Sequence, residues 1–260
     1  MSRRLDPRFV KIPLAHRGLH DRRAGIVENS AAAIQAAIDA GFGIEIDVQP
    51  SASCRPMVFH DAHLDRLTAL TGPVRARTTA TLEGTPYSDG TDRISTLDTV
   101  LAQVAGAVPL LIEIKDQDGG LGADMGALPR EVAAALAQYG GPVAVMSFNP
   151  HAIEAFAAHA PDIARGLVTE HFDAEDWPDV PATRRRLLND IPDADRLDLD
   201  FISHNHHHLS QPAVSRLKAA GLPVLCWTIR NSRDEAKARR IADNITFEAF
   251  YPDPTPPIVT

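Results

Sequence analysis

Two histidines, three carboxylates and a lysine fall inside or at the ends of short apolar runs. They are His16 in Leu-Ala-His-Arg-Gly, Glu45 and Asp47 in Ile-Glu-Ile-Asp-Val, His60 in Phe-His-Asp, and Glu113 and Lys115 in Leu-Ile-Glu-Ile-Lys. Each run reads as a buried strand. An ion placed there costs several kcal/mol, on the order of the ionic desolvation penalty, unless it is paired or bound to a metal. Side chains alternate along a strand, so Glu45 and Asp47 share one face and Ile44, Ile46 and Val48 the other. Glu113 and Lys115 repeat the pattern against Ile112 and Ile114. Three carboxylates facing one another repel unless a cation lies between them. An all-oxygen set without cysteine suits a hard ion, Mg²⁺, Ca²⁺ or Mn²⁺. A buried Glu–Lys ion pair without metal is the competing account, and it leaves two acids unpaired. Histidine gives or takes a proton near neutral pH, and Arg17 and Lys115 could stabilise charge on phosphorus. The set therefore holds the ingredients of metal-assisted phosphodiester hydrolysis: one group to activate a nucleophile, another to protonate the leaving alkoxide.

The elements that must position these groups alternate. Strand patterns cover Ile12–Arg17, Gly43–Val48, Pro109–Ile114, Pro142–Phe148, Ile163–Val168, Asp200–Ser203, Pro223–Ile229 and Asn244–Phe247. Helical patterns separate them, over about Asn29–Ala40, Thr96–Val104, Leu128–Tyr139, Pro150–His159, Ala182–Leu188, Gln211–Ala220 and Ser232–Ile241. Asn29 or Ser30 caps the first helix, Gly41 stops it, and Ser95 caps the second. Such alternation predicts a parallel sheet, and eight units close a (β/α)₈ TIM barrel. The acids then face the lumen near the carboxyl ends of the strands. A short hairpin arm ends in Met57–His60. About residues 61–94, rich in Thr, Arg, Gly and Pro, read as a small insertion after strand two. The whole chain, 1–260, reads as one domain, with Pro252, Pro254, Pro256 and Pro257 barring a last helix.

Composition narrows the partners. A net charge of −8 over 260 residues argues against a general nucleic-acid binder but not against a small anionic substrate. Arg184–Arg186, and Arg233 with Lys237, Arg239 and Arg240, read as solvated helix faces. The two cysteines, Cys54 and Cys226, lack metal-ligand spacing and suit a reducing, cytoplasmic setting. Arg3, Arg4, Asp6, Arg8 and Lys11 are followed by no apolar segment of a signal peptide. The longest uncharged stretch, Val132–Ile153, is split by Gly140-Gly141-Pro142 and reads as helix, turn and strand, so no stable membrane insertion is expected. The oligomeric state has no signal in the sequence.

With these residues in view, the chain resembles the glycerophosphodiester phosphodiesterase family. The matching motifs are His16-Arg17-Gly18, Glu28-Asn29-Ser30, Glu45-Ile46-Asp47-Val48, His60-Asp61 with Leu64-Asp65-Arg66, Glu113-Ile114-Lys115, Ser147-Phe148 and Trp227-Thr228, in family order over most of the chain. The resemblance implies hydrolysis of a glycerophosphodiester to an alcohol and sn-glycerol 3-phosphate. It implies one divalent cation, Mg²⁺ or Ca²⁺ with Mn²⁺ also admissible, held by Glu45, Asp47 and Glu113. His16 and His60 would be the acid–base pair, Arg17 and Lys115 the phosphate contacts, and Trp227 a pocket wall near the glycerol. A lysophospholipase D acting on longer lipids, and a non-catalytic phosphodiester-binding barrel, are the alternatives.

The sequence departs from the family pattern at Cys54-Arg55 in the hairpin, at Leu67, at Arg230 after Trp227-Thr228-Ile229, and at Thr246-Phe247-Glu248. These changes are expected to alter the alcohol pocket and not the acid–base set. The run His204-Asn205-His206-His207-His208 reads as a loop at the barrel top, with a second metal site as the competing account. His20 and His63 read as rim residues. Glu28 divides evenly between a helix-dipole role and support of the metal ligands, and Asp61 between a turn former and a partner of a catalytic group. Phe59, Phe148 and Phe201 read as packing residues.

Overall fold

A computed structural model describes residues 5–252. Its ten strands are β1 (Leu14–Ala15), β2 (Gly43–Pro50), β3 (Pro56–Val58), β4 (Ser95–Thr96), β5 (Leu110–Ile114), β6 (Val143–Ser147), β7 (Ala164–Thr169), β8 (Phe201–Asn205), β9 (Val224–Ile229) and β10 (Asn244–Phe247). Its helices are α1 (Ala31–Asp39), α2 (Thr79–Gly84), α3 (Leu97–Val104), α4 (Leu128–Leu136), α5 (Pro150–His159), α6 (Ala182–Asn189), α7 (Asp193–Arg196), α8 (Pro212–Ala219) and α9 (Ser232–Ala238). Eight strands pair in parallel in the order β1-β10-β9-β8-β7-β6-β5-β2, and β1 pairs with β2 to close the ring. The result is the (β/α)₈ barrel expected from the strand count.

The two faces of each strand explain the layers. Ile44, Ile46 and Val48, with Ile112 and Ile114, pack outward into the large core shared with the helices. Inside the ring, Leu14, Leu111, Ala144, Ala164, Phe201 and Leu225 form a second apolar cluster around Phe9. Phe9 is carried by a 3₁₀ turn, Pro7–Val10, whose N-cap is Asp6. Asn244 pins that turn by donating from Nδ2 to the carbonyls of Phe9 and Ile12, both at 2.7 Å. Each fully buried side chain of this size contributes roughly 1.5–3 kcal/mol, so the plug gives the lumen a dry floor.

Several boundaries differ from expectation. The first strand shrinks from Ile12–Arg17 to Leu14–Ala15, because Arg17 and Gly18 turn the chain with φ of 57° and 78°. A side chain at Gly18 would place its Cβ 2.8 Å from the backbone of Ala33, so glycine is required there. Ser30, not Asn29, caps α1, accepting a hydrogen bond from the Ala33 amide. Thr96, not Ser95, caps α3, because Ser95 and Thr96 form β4 against the arm strand β3. Between β3 and β4 the insertion carries its own packed cluster, with Met57, Phe59, Leu64, Leu67, Val74, Leu82, Tyr87 and Ile94 closing over Val27. Leu67 is therefore a packing residue of the insertion. Cys54 and Arg55 lie in the hairpin turn, where Cys54 has φ 62° and Arg55 pairs with Asp98. Val132–Ile153 spans α4, a loop, β6 and the start of α5, and no helix among the described residues is long and apolar enough to cross a membrane. Arg3, Arg4, Pro254, Pro256 and Pro257 lie outside the described residues.

Candidate active site

At the carboxyl end of the lumen, a cavity of about 170 Å³ is lined by His16, Arg17, Glu45, His60, Glu113, Lys115, Phe148, Trp227 and Arg230, among others. All eight site residues chosen from the sequence converge here. Seven line the cavity directly. The eighth, Asp47, is paired in register with Glu113 across β2 and β5.

The turn after β1 builds one wall. Its left-handed residues aim the Arg17 backbone amide at Glu45 Oε2, 3.0 Å away. The Arg17 guanidinium reaches Glu28 Oε1 at 2.7 Å and lies 3.3 Å from Asp47 Oδ2. Asn29, also left-handed at φ 59°, turns its amide onto Asp47 Oδ2 at 2.9 Å. Asn29 is thus a support of Asp47. Glu28 likewise does more than face a helix terminus, since it joins Arg17 to Arg66.

Glu45, Asp47 and Glu113 are all buried and offer oxygens within 4.8 Å of one another. Lys115 Nζ lies 2.7 Å from both Asp47 and Glu113. Burial alone would lift Asp47, but Lys115, His60, Arg17 and His16 together hold it well below the usual carboxylate range. Burial opposes the charge on Lys115, yet Asp47 and Glu113 raise it above an ordinary lysine. Glu45 is the acid left over. Burial, then the charges of Asp47 and Glu113, push it well above the usual range, and Lys115 and Arg17 only partly oppose this. The Glu–Lys pairing without metal therefore leaves strong repulsion at Glu45. A hard divalent cation among these oxygens would offset that repulsion, so the residues present fit one.

The two histidines are held alike. His16 Nδ1 lies 2.7 Å from Glu248 Oε2, and Arg230 Nε donates to Glu248 Oε1 at 2.6 Å. His60 Nδ1 lies 2.7 Å from Asp61 Oδ1, and Arg66 Nε donates to Asp61 Oδ2 at 2.6 Å. Burial lowers the pKa of His16, and the hydrogen bond to Glu248 opposes the shift. The other nitrogen of His16, Nε2, lies 4.0 Å from Glu45. Asp61 is the partner of a ring, not merely a turn former.

Trp227 donates from Nε1 to the Ser203 carbonyl at 3.0 Å and meets Phe148 edge-to-face at 5.5 Å. Phe59 and Phe201 are fully buried packing residues, whereas Phe148 lines the cavity. His20 sits on the rim, 3.6 Å from Glu248, and His63 is exposed. The histidine run makes no second metal site. His204 points into the outer layer, shares a hydrogen bond with Thr169 at 2.8 Å, and is lowered to about 4 by burial. His206–His208 form a separate 3₁₀ turn. Among the described residues only the acidic triad brings metal-ligating atoms together. Arg184 and Arg185 do more than face water, donating to the carbonyls of Leu121 and Trp177.

Sequence reasoning missed Glu170. This buried carboxylate accepts from Trp177 Nε1 at 2.7 Å and Asn205 Nδ2 at 3.1 Å. It ties the loop after β7 to β8, with Trp177 packed on Phe148 at 5.0 Å. The two-residue step from lumen-facing Val168 to Glu170 was the available signal.

The sequence profile of the Glycerophosphoryl diester phosphodiesterase family matches residues 16–245. The Bacillus subtilis protein named "Putative glycerophosphodiester phosphodiesterase YhdW" is 27% identical over 250 residues, covering 92% of this chain and 94% of its own. An Oleispira antarctica phosphodiesterase, solved with the product sn-glycerol-3-phosphate, superposes with a TM-score of 0.74 at 24% identity, covering 93% of this chain and 94% of that one. A glycerophosphodiester phosphodiesterase from Agrobacterium tumefaciens gives 0.66 at 22%, covering 90% and 94%. These two structures share the barrel fold.

Proposed function

This chain belongs to the glycerophosphoryl diester phosphodiesterase family and is a phosphoric diester hydrolase, and from that premise we propose that it hydrolyses glycerophosphodiesters to an alcohol and sn-glycerol 3-phosphate. One observation carries the reading: three buried carboxylates within 4.8 Å of one another share a cavity with two imidazoles whose Nδ1 atoms are both tied to acids. The product held by the Oleispira antarctica neighbour supports the same substrate class.

Glu45, Asp47 and Glu113 would hold a divalent cation, Mg²⁺ or Ca²⁺, which when bound polarises the phosphoryl group and neutralises its charge. The chain's own residues do the rest. Arg17 and Lys115 line the cavity and supply positive charge for the non-bridging phosphate oxygens. Trp227 and Phe148 form an apolar wall that orients the diester and excludes water. With Nδ1 engaged, each histidine has Nε2 free for proton transfer. One imidazole takes the proton of the attacking hydroxyl as its oxygen bonds to phosphorus. The other donates a proton to the departing alkoxide as its bond to phosphorus breaks. The scheme serves water and the glycerol 2-hydroxyl equally as first nucleophile; the second route passes through a cyclic phosphate.

The whole chain acts as one domain in this reading. Two free cysteines, Cys54 and Cys226, support a reducing, cytoplasmic setting. The test is a product assay over a panel of glycerophosphodiesters, with lysophosphatidylcholine alongside, run with and without EDTA. Glycerol 3-phosphate from the small diesters, lost in EDTA and restored by Mg²⁺ or Ca²⁺, is expected. Faster turnover of the lysolipid would favour the lysophospholipase D reading. Binding without product under excess cation would leave a non-catalytic barrel.

A further inference from the structure

Arg230 and Glu248, two of the positions at which the chain departs from its family's pattern, meet at the cavity. The barrel's register explains why. β10 lies between β1 and β9, so its last residue and the one after it reach both neighbours. The His16 amide donates to the Phe247 carbonyl at 2.9 Å on one side, and the Glu248 amide donates to the Ile229 carbonyl at 3.0 Å on the other. Those backbone bonds set Glu248 between His16 and Arg230.

Both carboxylate oxygens of Glu248 are engaged. Oε2 meets His16 Nδ1 at 2.7 Å, with His20 Nε2 at 3.6 Å, and Oε1 accepts from Arg230 Nε at 2.6 Å. A carboxylate fixed at both oxygens cannot rotate away from the ring it holds. An ionised carboxylate only accepts, so Nδ1 must carry the proton whether His16 is neutral or charged. Nε2 is then the only nitrogen that can exchange a proton with substrate.

We infer that Glu248 is a positioning residue that fixes the ring and tautomer of His16, with Arg230 as its clamp, and that His16 works through Nε2. The inference rests on the acid–base role proposed above for His16. It moves these two departures from choosing the alcohol to orienting a proton-transfer group.

Glu248→Gln keeps the size but offers an amide NH₂ that can donate to Nδ1 and select the wrong tautomer. It is expected to lower kcat by about tenfold or more, a fraction of what general acid–base catalysis supplies, with KM nearly unchanged. In a His16→Ala background the same change should cost nothing further. Arg230→Ala, at an exposed position, should lower kcat less and add nothing to Glu248→Gln. The second readout is proton NMR of the folded chain without substrate. The wild type should show a downfield Nδ1–H signal that disappears in both His16→Ala and Glu248→Gln. Unchanged kcat in folded Glu248→Gln, a full loss repeated in the His16→Ala background, or a raised KM with intact kcat in Arg230→Ala would overturn the inference. The NMR signal also separates two failures. Its presence in a protein that hydrolyses no glycerophosphodiester rejects the proposed function and leaves the pairing standing, whereas its absence rejects the pairing itself.

Discussion

His60 meets a carboxylate one residue away in the chain, and His16 meets one 232 residues away, yet both contacts are 2.7 Å and both acids are backed by an arginine at 2.6 Å. The two sides of the cavity reach the same arrangement by different routes. Around His60 the parts come from a local stretch, His60-Asp61 and Arg66, at the start of the insertion. Around His16 they come from the ends of three neighbouring strands, β1, β9 and β10. The clamps differ too. Arg66 makes four hydrogen bonds, two to Asp61 and two to Glu28, and through Glu28 it is linked to Arg17. Arg230 makes one, to Glu248. The local side is therefore tied into a network of several charges, and the long-range side depends on barrel closure to bring its single chain of contacts together. On both sides a carboxylate stands behind Nδ1 of a cavity-lining histidine, an arrangement that holds an imidazole in one tautomer.

The largest effects should strike both sides equally. His16→Ala and His60→Ala are each expected to lower kcat by roughly 10²–10⁴-fold, the range of general acid–base catalysis, with circular dichroism unchanged. A large loss on one side only would break the symmetry. Removing the acids behind the rings should cost less: Asp61→Asn is expected to lower kcat by about tenfold or more, and with Glu248→Gln the losses should multiply, because the two act on different rings. Losses that fail to multiply would mean that the two sides are one coupled unit.

Smaller effects sharpen the difference between the clamps. Arg66→Ala removes the partner of two acids, Glu28 and Asp61, and should lower kcat and the melting temperature more than Arg230→Ala, in thermal scans and initial-rate assays. Equal effects would deny that the network matters. The smallest effect is in acid stability. Burial would raise Asp61, but hydrogen bonds from His60 and Arg66 hold it below the ordinary carboxylate range. A depressed folded-state value adds stability above the unfolded pKa, about 4, which is lost as pH falls through and below it. The melting-temperature gap between wild type and Asp61→Asn should therefore shrink from about pH 6 to pH 3. A gap constant with pH would contradict that origin.

The same contrast explains what the sequence could reveal. Face alternation on β2 and β5 was enough to bring Glu45, Asp47, Glu113 and Lys115 together, because strand periodicity is local and the strand count fixes the ring. The pairing of His60 with Asp61 was open from adjacency alone. Glu248 was visible only as a departure, and its partner could not be read, because contact between β1 and the end of β10 exists only in the closed ring. Asn29 looked like a helix cap, and its grip on Asp47 depends on a left-handed backbone that the residue type merely permits. The insertion was legible as an insertion but its core was not, because Leu64, Leu67, Val74, Leu82 and Ile94 follow no helical or strand period, yet they close a small core over Val27. Glu170 was passed over because nothing nearby in sequence signals Asn205 as its partner.

Hydrolysis of a glycerophosphodiester by two oriented histidines beside an acidic triad can be followed in one measurement. Phosphorus NMR would follow a single glycerophosphodiester with Mg²⁺ in the wild type and in folded His16→Ala, His60→Ala and Glu45→Gln. Steady growth of the glycerol 3-phosphate signal is expected in the wild type and essentially none in the three variants over the same time. Near-normal product formation in the variants would contradict that mechanism.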